Sequence, residues 1–444
     1  MNITGNIRTL SGVSRHILPL GLSVFLAVTV FFGCSRPGKE TSDKTEFTFA
    51  TWAAGQELKE FQEIIDRVNA AASGRYKVNV LSVPSDYYIK ISTFIASKKT
   101  PDFFWLTQEL IPKYAQLGAI ADITENFKAG GKLKPEDYYQ GVLVSAAYNG
   151  RYYGLPWIAN PLMVYYNKKL FDDAGLPYPN PQAGWTWDIF IDTSKKLTRL
   201  RKDSLGNDYQ QFGCIVDGWP NLETFIWGGG GDIIAENGTD ILLDSEASLR
   251  GLGILHAILN SGISPEYSKV SSLGSNNVWF EKQRVAMFMG GIQDNFEEKN
   301  AAVPEAERFE IGYAPIPAGL DGKTWSFNWT ASTVLSAAVK DNPLAYEVFE
   351  AITLEFFKWK IAPPLQNSLE QVAVINPRKR PALSVIETAL NSARSAHYVP
   401  EWNEINNLLW VKLYTGMLND PAFDYRESAH SIAEQSRQFI AKRK

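Results

Sequence analysis

The residues that could make or break a covalent bond are few and scattered. Four histidines occur in 444 residues. His16 precedes a long apolar run, and His256, His397 and His430 stand apart. No His-Glu-x-x-His pair or paired-cysteine spacing offers a metal site. Neither a Gly-x-Ser-x-Gly elbow, a phosphate-binding loop nor a Gly-x-Gly-x-x-Gly fingerprint appears. The run Trp227–Asp232 is rich in glycine, but no Lys-Ser/Thr follows to cradle a phosphate. Carboxylates number 48, and two of them could meet as acid and base of a glycosidase. Such a pair is a separation in space and leaves no spacing in sequence. The chain is therefore expected to carry no catalytic residue, no metal and no cofactor.

What it does carry is aromatic and amide side chains at the ends of apolar runs. There are 13 Trp, 19 Tyr and 24 Phe; a core absorbs most of them, but tryptophan at this number exceeds packing needs. Phe47–Trp52 alternates like a strand. Leu58, Phe61, Ile64, Ile65, Val68 and Ala72 follow at helical spacing. Tyr76–Leu81 is a second strand, Ile89–Ala96 lies in a helix, and Pro101–Leu106 is a short apolar run. Strands alternating with helices predict an α/β layer with a largely parallel sheet, whose ligands sit at the carboxyl ends of the strands. Those ends are Trp52, the Pro84–Asp86 turn and Trp105–Gln108. With 45% apolar residues, 21% charged and a net charge of −4, the chain reads as a soluble globular protein with one or two cores. It has no basic field for nucleic acid.

The first residues read as an export signal. Arg8 and Arg15 are followed by an uncharged stretch, Ile17–Phe32, shorter than the roughly 20 residues a spanning helix needs. Gly33-Cys34 closes it and resembles a bacterial lipobox, in which the cysteine is lipidated and becomes the mature N-terminus. An uncleaved anchor or plain secretion are the alternatives. Residues 1–33 hold two arginines and no acid, so of 44 basic and 48 acidic residues the mature chain keeps 42 and 48. The segment 34–45 is a polar tether. With Cys34 acylated, Cys214 has no partner and is a small buried hydrophobe. Stable anchoring would take more than one acyl chain.

Further on, Gly154–Gly175 places Trp157 and Asn160 ahead of an apolar strand, Met163–Asn167, that turns into a helix. Beyond Asn180 the texture changes to helices, glycine-rich turns and short strands, with no internal repeat.

Tyr152–Pro179, followed by Thr186–Thr198, resembles the signature region of the family 1 extracellular solute-binding proteins, the receptors of ABC sugar importers. The family pattern is roughly Gly-Leu-Pro, a variable mouth, two hydrophobic residues, Tyr-Asn, then Leu/Phe with an acid. Val164, Tyr165, Tyr166, Asn167, Phe171 and Asp173 fit it, while Trp157, Ile158 and Met163 depart. Asp86–Leu106, Trp227–Ala247, Trp279–Gly291, Ile311–Lys323 and Ala373–Lys379 are similar to other family segments, in order, over most of the chain. The resemblance implies a two-lobed α/β fold of the type II periplasmic-binding-protein kind. Each lobe has a mixed, mainly parallel sheet flanked by helices, and hinge strands cross between them. Residues 46–163 with 315–377 would form lobe 1, and 164–314 with 378–444 lobe 2. Met163–Asn167 would cross first and Phe309–Pro315 would bring the chain back.

The same resemblance implies a lipid-anchored, extracytoplasmic receptor, periplasmic or on the outer face of the cell. It would capture a carbohydrate, an oligosaccharide by preference, and deliver it as a monomer to an ABC permease, with no nucleic acid involved. A sugar offers an apolar face and a rim of hydroxyls, so its site calls for aromatic plates and planar polar groups. Carried over by position, the ligand contacts are Trp105, Gln108, Trp157, Asn160 and Gln293, the last standing where the family's maltose receptor stacks a tryptophan; Asp294 lies beside it. Trp52, Asp86, Trp219, Trp227, Asn328, Trp329 and Trp402 belong to segments expected to face the cleft. Trp187, Phe190, Trp279 and Phe280 read as packing, Asp102 as a turn cap, Arg378 as solvated or interlobe, and Asn167-Lys168-Lys169 as a helix start. Two other readings remain open. One is a receptor for a polyamine or polyol phosphate, which needs carboxylates or cations respectively. The other is a secreted glycosidase.

Overall fold

The computed structural model describes residues 45–444 apart from Ser204 and Lys444. The export signal, Cys34 and nearly all of the tether lie outside the described residues. Ten strands carry the architecture: β1 Glu46–Thr51, β2 Lys77–Ser82, β3 Phe103–Thr107, β4 Gly154–Pro156, β5 Asn160–Asn167, β6 Met287–Gly291, β7 Ile311–Ala314, β8 Ser326–Trp329, β9 Ala331–Leu335 and β10 Ala393–Arg394.

The first sheet runs β2-β1-β3-β9-β4. Its β1–β2 and β1–β3 pairs are parallel, whereas β9 lies antiparallel to both β3 and β4. Strand β3 is buried on both faces, so its side chains alternate between two cores. Phe103 and Trp105 enter one cluster with Phe49 and Phe61, while Phe104 and Leu106 enter another with Tyr87 and Ile91. The helix Gly55–Ala71 buries Phe61, Ile64, Ile65 and Val68, the stripe predicted from spacing. Each such side chain contributes roughly 1.5–3 kcal/mol of burial.

The second sheet is built around β5. Strand β6 covers one edge from Leu162 to Tyr166, and on the other β8 takes Asn160–Pro161 and β7 takes Val164–Asn167. All three pairings are antiparallel; only β8–β10 is parallel. The largely parallel sheet predicted from alternation thus holds only for β2-β1-β3, because one long strand collects its partners from segments that return in the opposite direction. Every residue of β5 is buried, which explains its unbroken apolar run.

The chain passes from the first sheet to the second between β4 and β5, through Trp157–Ala159, comes back between β8 and β9, through Thr330, and passes to the second sheet again between β9 and β10. The return is therefore not made by Phe309–Pro315. That segment supplies β7, which stays in the second sheet because it is register-matched to β5 from Asn167 to Val164.

The readings of Trp187, Phe190, Trp279 and Phe280 as packing hold, since all four are buried. Asn167 caps its helix by accepting from Leu170 N at 3.2 Å. Asp102 accepts from Thr48 N at 2.8 Å and so fastens β1. Cys214 is buried, which pushes its thiol up to about 12.

Two interior devices stand out energetically. Trp105 sits among Phe49, Phe61 and Phe356 and stacks on Trp157 with centroids 4.9 Å apart. Lys379 is buried beside β5. Its ammonium donates to Tyr165 OH at 2.9 Å and Asp294 O at 2.7 Å and pairs with Glu297 Oε2 at 2.8 Å. Two of these contacts are hydrogen bonds and the third is an ion pair. Burial lowers the Lys379 pKa and Glu297 opposes the shift. Trp105→Ala is expected to lower stability by roughly 3–5 kcal/mol in urea denaturation, as a large ring leaves a cavity in a packed core. Lys379→Met is expected to cost roughly 3–5 kcal/mol in the same assay, because Glu297 keeps its charge and loses its partner.

Candidate functional site

The first two crossings lie side by side and are sewn together by amides. Asn160 N donates to Asn328 Oδ1 at 3.0 Å, and Gln293 N donates to Asn160 Oδ1 at 3.0 Å. Thr330 N donates to Gln108 Oε1 at 3.1 Å, and Gln108 Nε2 donates to Tyr398 OH at 2.8 Å. Thr330 Oγ1 completes the seam on Ile158 O. Gly291 fits here because a Cβ would stand 2.4 Å from Asn160 Oδ1. Asn328 Nδ2 is buried and has no hydrogen-bond partner in the protein. A buried donor left in that condition costs about 1–3 kcal/mol.

The expected ligand contacts divide into three groups around this seam. Gln108, Asn160 and Asn328 are brought together in it, joined by the backbone of Gln293. Asp294 forms the adjacent turn, its Oδ2 accepting from Gly291 N at 2.9 Å, with burial raising its pKa.

Trp105, Trp157, Trp227 and Trp402 are interior, and none of them shows a face to solvent. The reason differs in each case. Trp105 is one of the inward residues of β3. Trp157 is caught between Trp105 and Trp359, nearly parallel to the latter at 17° and 5.9 Å. Trp227 stacks on Phe327 under the Arg394 guanidinium, 4.8 Å from its ring, and donates to Asp232 Oδ1 at 3.3 Å. Trp402 packs edge-on against Tyr398 at 4.8 Å.

The third group reaches the surface. Gln293 and Asp86 are exposed, while Trp52, Trp219 and Trp329 are half-buried. Trp52 rests on Trp105 at 4.6 Å and Tyr87 at 5.4 Å. Trp219 is tethered through its indole N–H to Met289 O at 2.8 Å. Trp329 pairs in register with Asn160. Asp86 adopts φ 50° before the helix Tyr87–Ala96 and makes no side-chain cap.

Next to the seam lies a cavity of about 510 Å³ whose rim includes Gln293, Asn295, Trp359, Lys360, Asn376 and Lys379. Of the expected contacts only Gln293 lines it. Its aromatic plate is Trp359, the outermost ring of the Trp105–Trp157–Trp359 stack, held by donation from its indole N–H to Glu60 at 2.9 Å. Lys360 Nζ lies 4.4 Å from the same ring and 2.7 Å from Glu57 Oε1. Sequence reasoning missed Trp359, which sits in the unpatterned stretch after a helix, Ala345–Phe356. It singled out Arg378, which is exposed, and passed over its buried neighbour Lys379.

A second cavity, of about 370 Å³, opens on the other side of Gln108 and reaches Tyr398 and His397. Burial raises the Tyr398 pKa well above the usual tyrosine range, and the fields of Glu223 and Glu109 add to it. Acidic groups from both sheets' flanking segments thus converge on one phenol. Among the described residues, no three or more His, Cys, Asp or Glu side chains are grouped to hold a metal ion.

A sequence model described as bacterial extracellular solute-binding protein matches residues 53–355. The sugar-binding protein MalE of Xanthomonas citri has the same fold, with a TM-score of 0.73 at 19% identity over 90% of this chain and 98% of that one. An ABC substrate-binding protein of Listeria monocytogenes, solved with cycloalternan, matches at 0.68 and 22% identity, covering 90% and 98%. Among curated proteins, the diacetylchitobiose-binding protein DasA of Streptomyces coelicolor is 22% identical over 340 residues, 72% of either chain. The two sheets and their crossings are those of a two-lobed periplasmic substrate-binding fold, and a family match over more than half of the sequence settles descent: the chain belongs to the bacterial extracellular solute-binding protein family.

Proposed function

We propose that this protein is an extracytoplasmic receptor that captures an oligosaccharide and hands it to an ABC permease without chemical change. The observation that carries the reading is the cavity beside the seam. It joins one aromatic plate, Trp359, to the amides of Gln293, Asn295 and Asn376. A ring face for the apolar side of a pyranose and planar amides for its hydroxyls are what a sugar needs. The volume is in the range of small-molecule sites. The relatives that bind cycloalternan and diacetylchitobiose support the same class.

A phosphate ligand is disfavoured on electrostatic grounds. Lys360 and Lys379, the cations at this cavity, are paired with Glu57 and Glu297. A polyol phosphate would have to break one of those pairs. The family's work is selection of a closed, liganded state from an open one, so no reaction is assigned. Lipidation at Cys34 would hold the receptor at the membrane through the tether. Trp105 and Trp157 act in this reading as the rigid backing of Trp359, not as contacts.

Purified protein with an oligosaccharide at about 100 times Kd should gain about 2.7 kcal/mol, which raises the melting temperature by several degrees. Trp359→Ala should weaken that ligand roughly tenfold or more, about 1.4 kcal/mol, read by calorimetry below the melting temperature of the free variant, which loses the ring's packing on Trp157. A shift with a polyol phosphate and none with any sugar would discard the ligand class and leave the receptor reading. Release of shortened sugars over time would identify a glycosidase instead. For the anchor, Cys34→Ser should move the protein from the membrane fraction to the soluble one, and retention in the membrane would refute lipidation at that residue.

A further inference from the structure

Away from the Trp359 cavity, a carboxyl stands without a counter-charge. Glu223 lies in the helix Leu222–Gly228, all of whose residues are buried. It lines a cavity of about 250 Å³ with Gly218, Asn221, Asn406 and Trp410. Its side chain is 5% exposed. The hydrogen bond that acts on it comes from its own backbone N–H, and among the described residues no Lys, Arg or His pairs with it.

The surrounding charges do not answer it. Asp232, the carboxylate that acts on Glu223, is taken by Arg394 at 2.7 Å, with His397 at 3.7 Å. Asp217, half-buried, accepts from Asn276 at 3.0 Å and Trp219 N at 3.3 Å and has no cation either. Tyr414, buried against Pro220 O at 2.6 Å, feels both Asp217 and Glu223. Tyr398, which feels Glu223 and Glu109, is neutral. A buried ionised carboxyl without a partner is costly, so it either keeps its proton or waits for a cation.

The rest of the cavity is built for an organic cation. Trp410 is 42% exposed, unusual for a ring of that size. It lies directly on Gly218, where a Cβ would come within 2.4 Å of the indole, and Gly218 has φ +106°. Only glycine fits both demands. Residues Leu409–Tyr414 form a π-helical turn, an irregularity that concentrates at functional sites. An indole face attracts a cation within about 6 Å, and the Asn221 and Asn406 amides supply neutral hydrogen bonds.

We propose that the Glu223 cavity receives a protonated amine carried by the bound ligand, the ammonium meeting the Glu223 carboxylate and the ring of Trp410. Resting on the sugar reading above, and on one ligand reaching from the Trp359 cavity to this one, this makes the ligand an amino sugar. Burial pushes the Glu223 carboxyl up to about 7, so near pH 6.5 the arriving ammonium displaces a proton from Glu223 to solvent.

Three β-1,4 disaccharides that differ only at C2 test this: chitobiose with free amines, N,N′-diacetylchitobiose and cellobiose. Titration calorimetry at pH 6.5 in two buffers of different ionisation enthalpy, with spermidine as a fourth ligand, reads affinity and proton release together. The free-amine disaccharide should bind at least tenfold more tightly than the other two and release a fraction of a proton. Glu223→Gln, an isosteric change whose fold the melting temperature checks, should bring the three within about threefold and abolish the release. Trp410→Ala, at a half-exposed site, should cost the amine ligand at least fivefold. Equal or tighter binding of the acetamide or hydroxyl form would overturn the amine while leaving the sugar reading intact. Glu223-dependent binding of spermidine alone would keep the amine chemistry and remove the sugar. No binding of any of the four, with a neutral sugar such as maltotriose bound, would overturn the amine alone; no binding of any sugar or of spermidine would remove both.

Discussion

Everything in this fold hangs on two adjacent crossings between its sheets. The chain leaves the first sheet through Trp157–Ala159 and re-enters it through Thr330, and these short links are tied by Asn160, Asn328, Gln108 and Thr330. In the crossing Trp157 N and Ala159 N reach the backbone carbonyls of Ala331 and Ala362, but Asn160 N and Thr330 N find none, and buried backbone groups must be paired. Side-chain amides solve this locally: each presents a donor and an acceptor in one plane and can bridge two strands that do not pair regularly. That is why the crossing is rich in Asn, Gln and Thr although it is buried.

The same constraint places the ligand chemistry. Polar groups cluster where the sheets' hydrogen bonding runs out, and in the proposed reading a solute with hydroxyls would find its partners there. Beside the seam the stack Trp105–Trp157–Trp359 gives the opposite quality, a rigid apolar support whose last ring alone reaches a cavity. Rings locked by neighbours lose little rotamer freedom when a ligand arrives, so ordering costs are reduced in advance. A mobile tryptophan at Trp359 would have to be fixed at the moment of binding.

Charge is distributed unevenly around this frame. Near Trp359 the cations are paired, and Glu298 adds a carboxyl to the cavity wall. Near Trp410 a carboxyl is buried without a partner. The Lys379 cluster beside β5 shows how this protein treats a buried charge that serves structure, with two hydrogen bonds and a counter-charge on the ammonium. Glu223 has no such arrangement: no Lys, Arg or His among the described residues pairs with it.

Local pattern was enough to determine the elements. The Phe61–Val68 stripe, the Asn167 cap, the all-apolar β5 and the packing roles of Trp187, Phe190, Trp279 and Phe280 all follow from periodicity and capping, which depend on neighbours in the chain. Motifs in order along the chain also determined the family. Which side chain faces what was decided only by tertiary structure. Trp105 and Trp157 stand at strand ends, as a ligand plate would, but strand alternation and the stacking of Trp359 bury them. Phe309–Pro315 reads as a returning strand, yet its register with β5 keeps it in the second sheet. Trp359, Lys379, Glu223 and Trp410 carry no signal in their own segments, because their importance lies in partners hundreds of residues away or in the lack of one. A sequence records what each residue can do, and burial and pairing, which belong to three dimensions, select what it does.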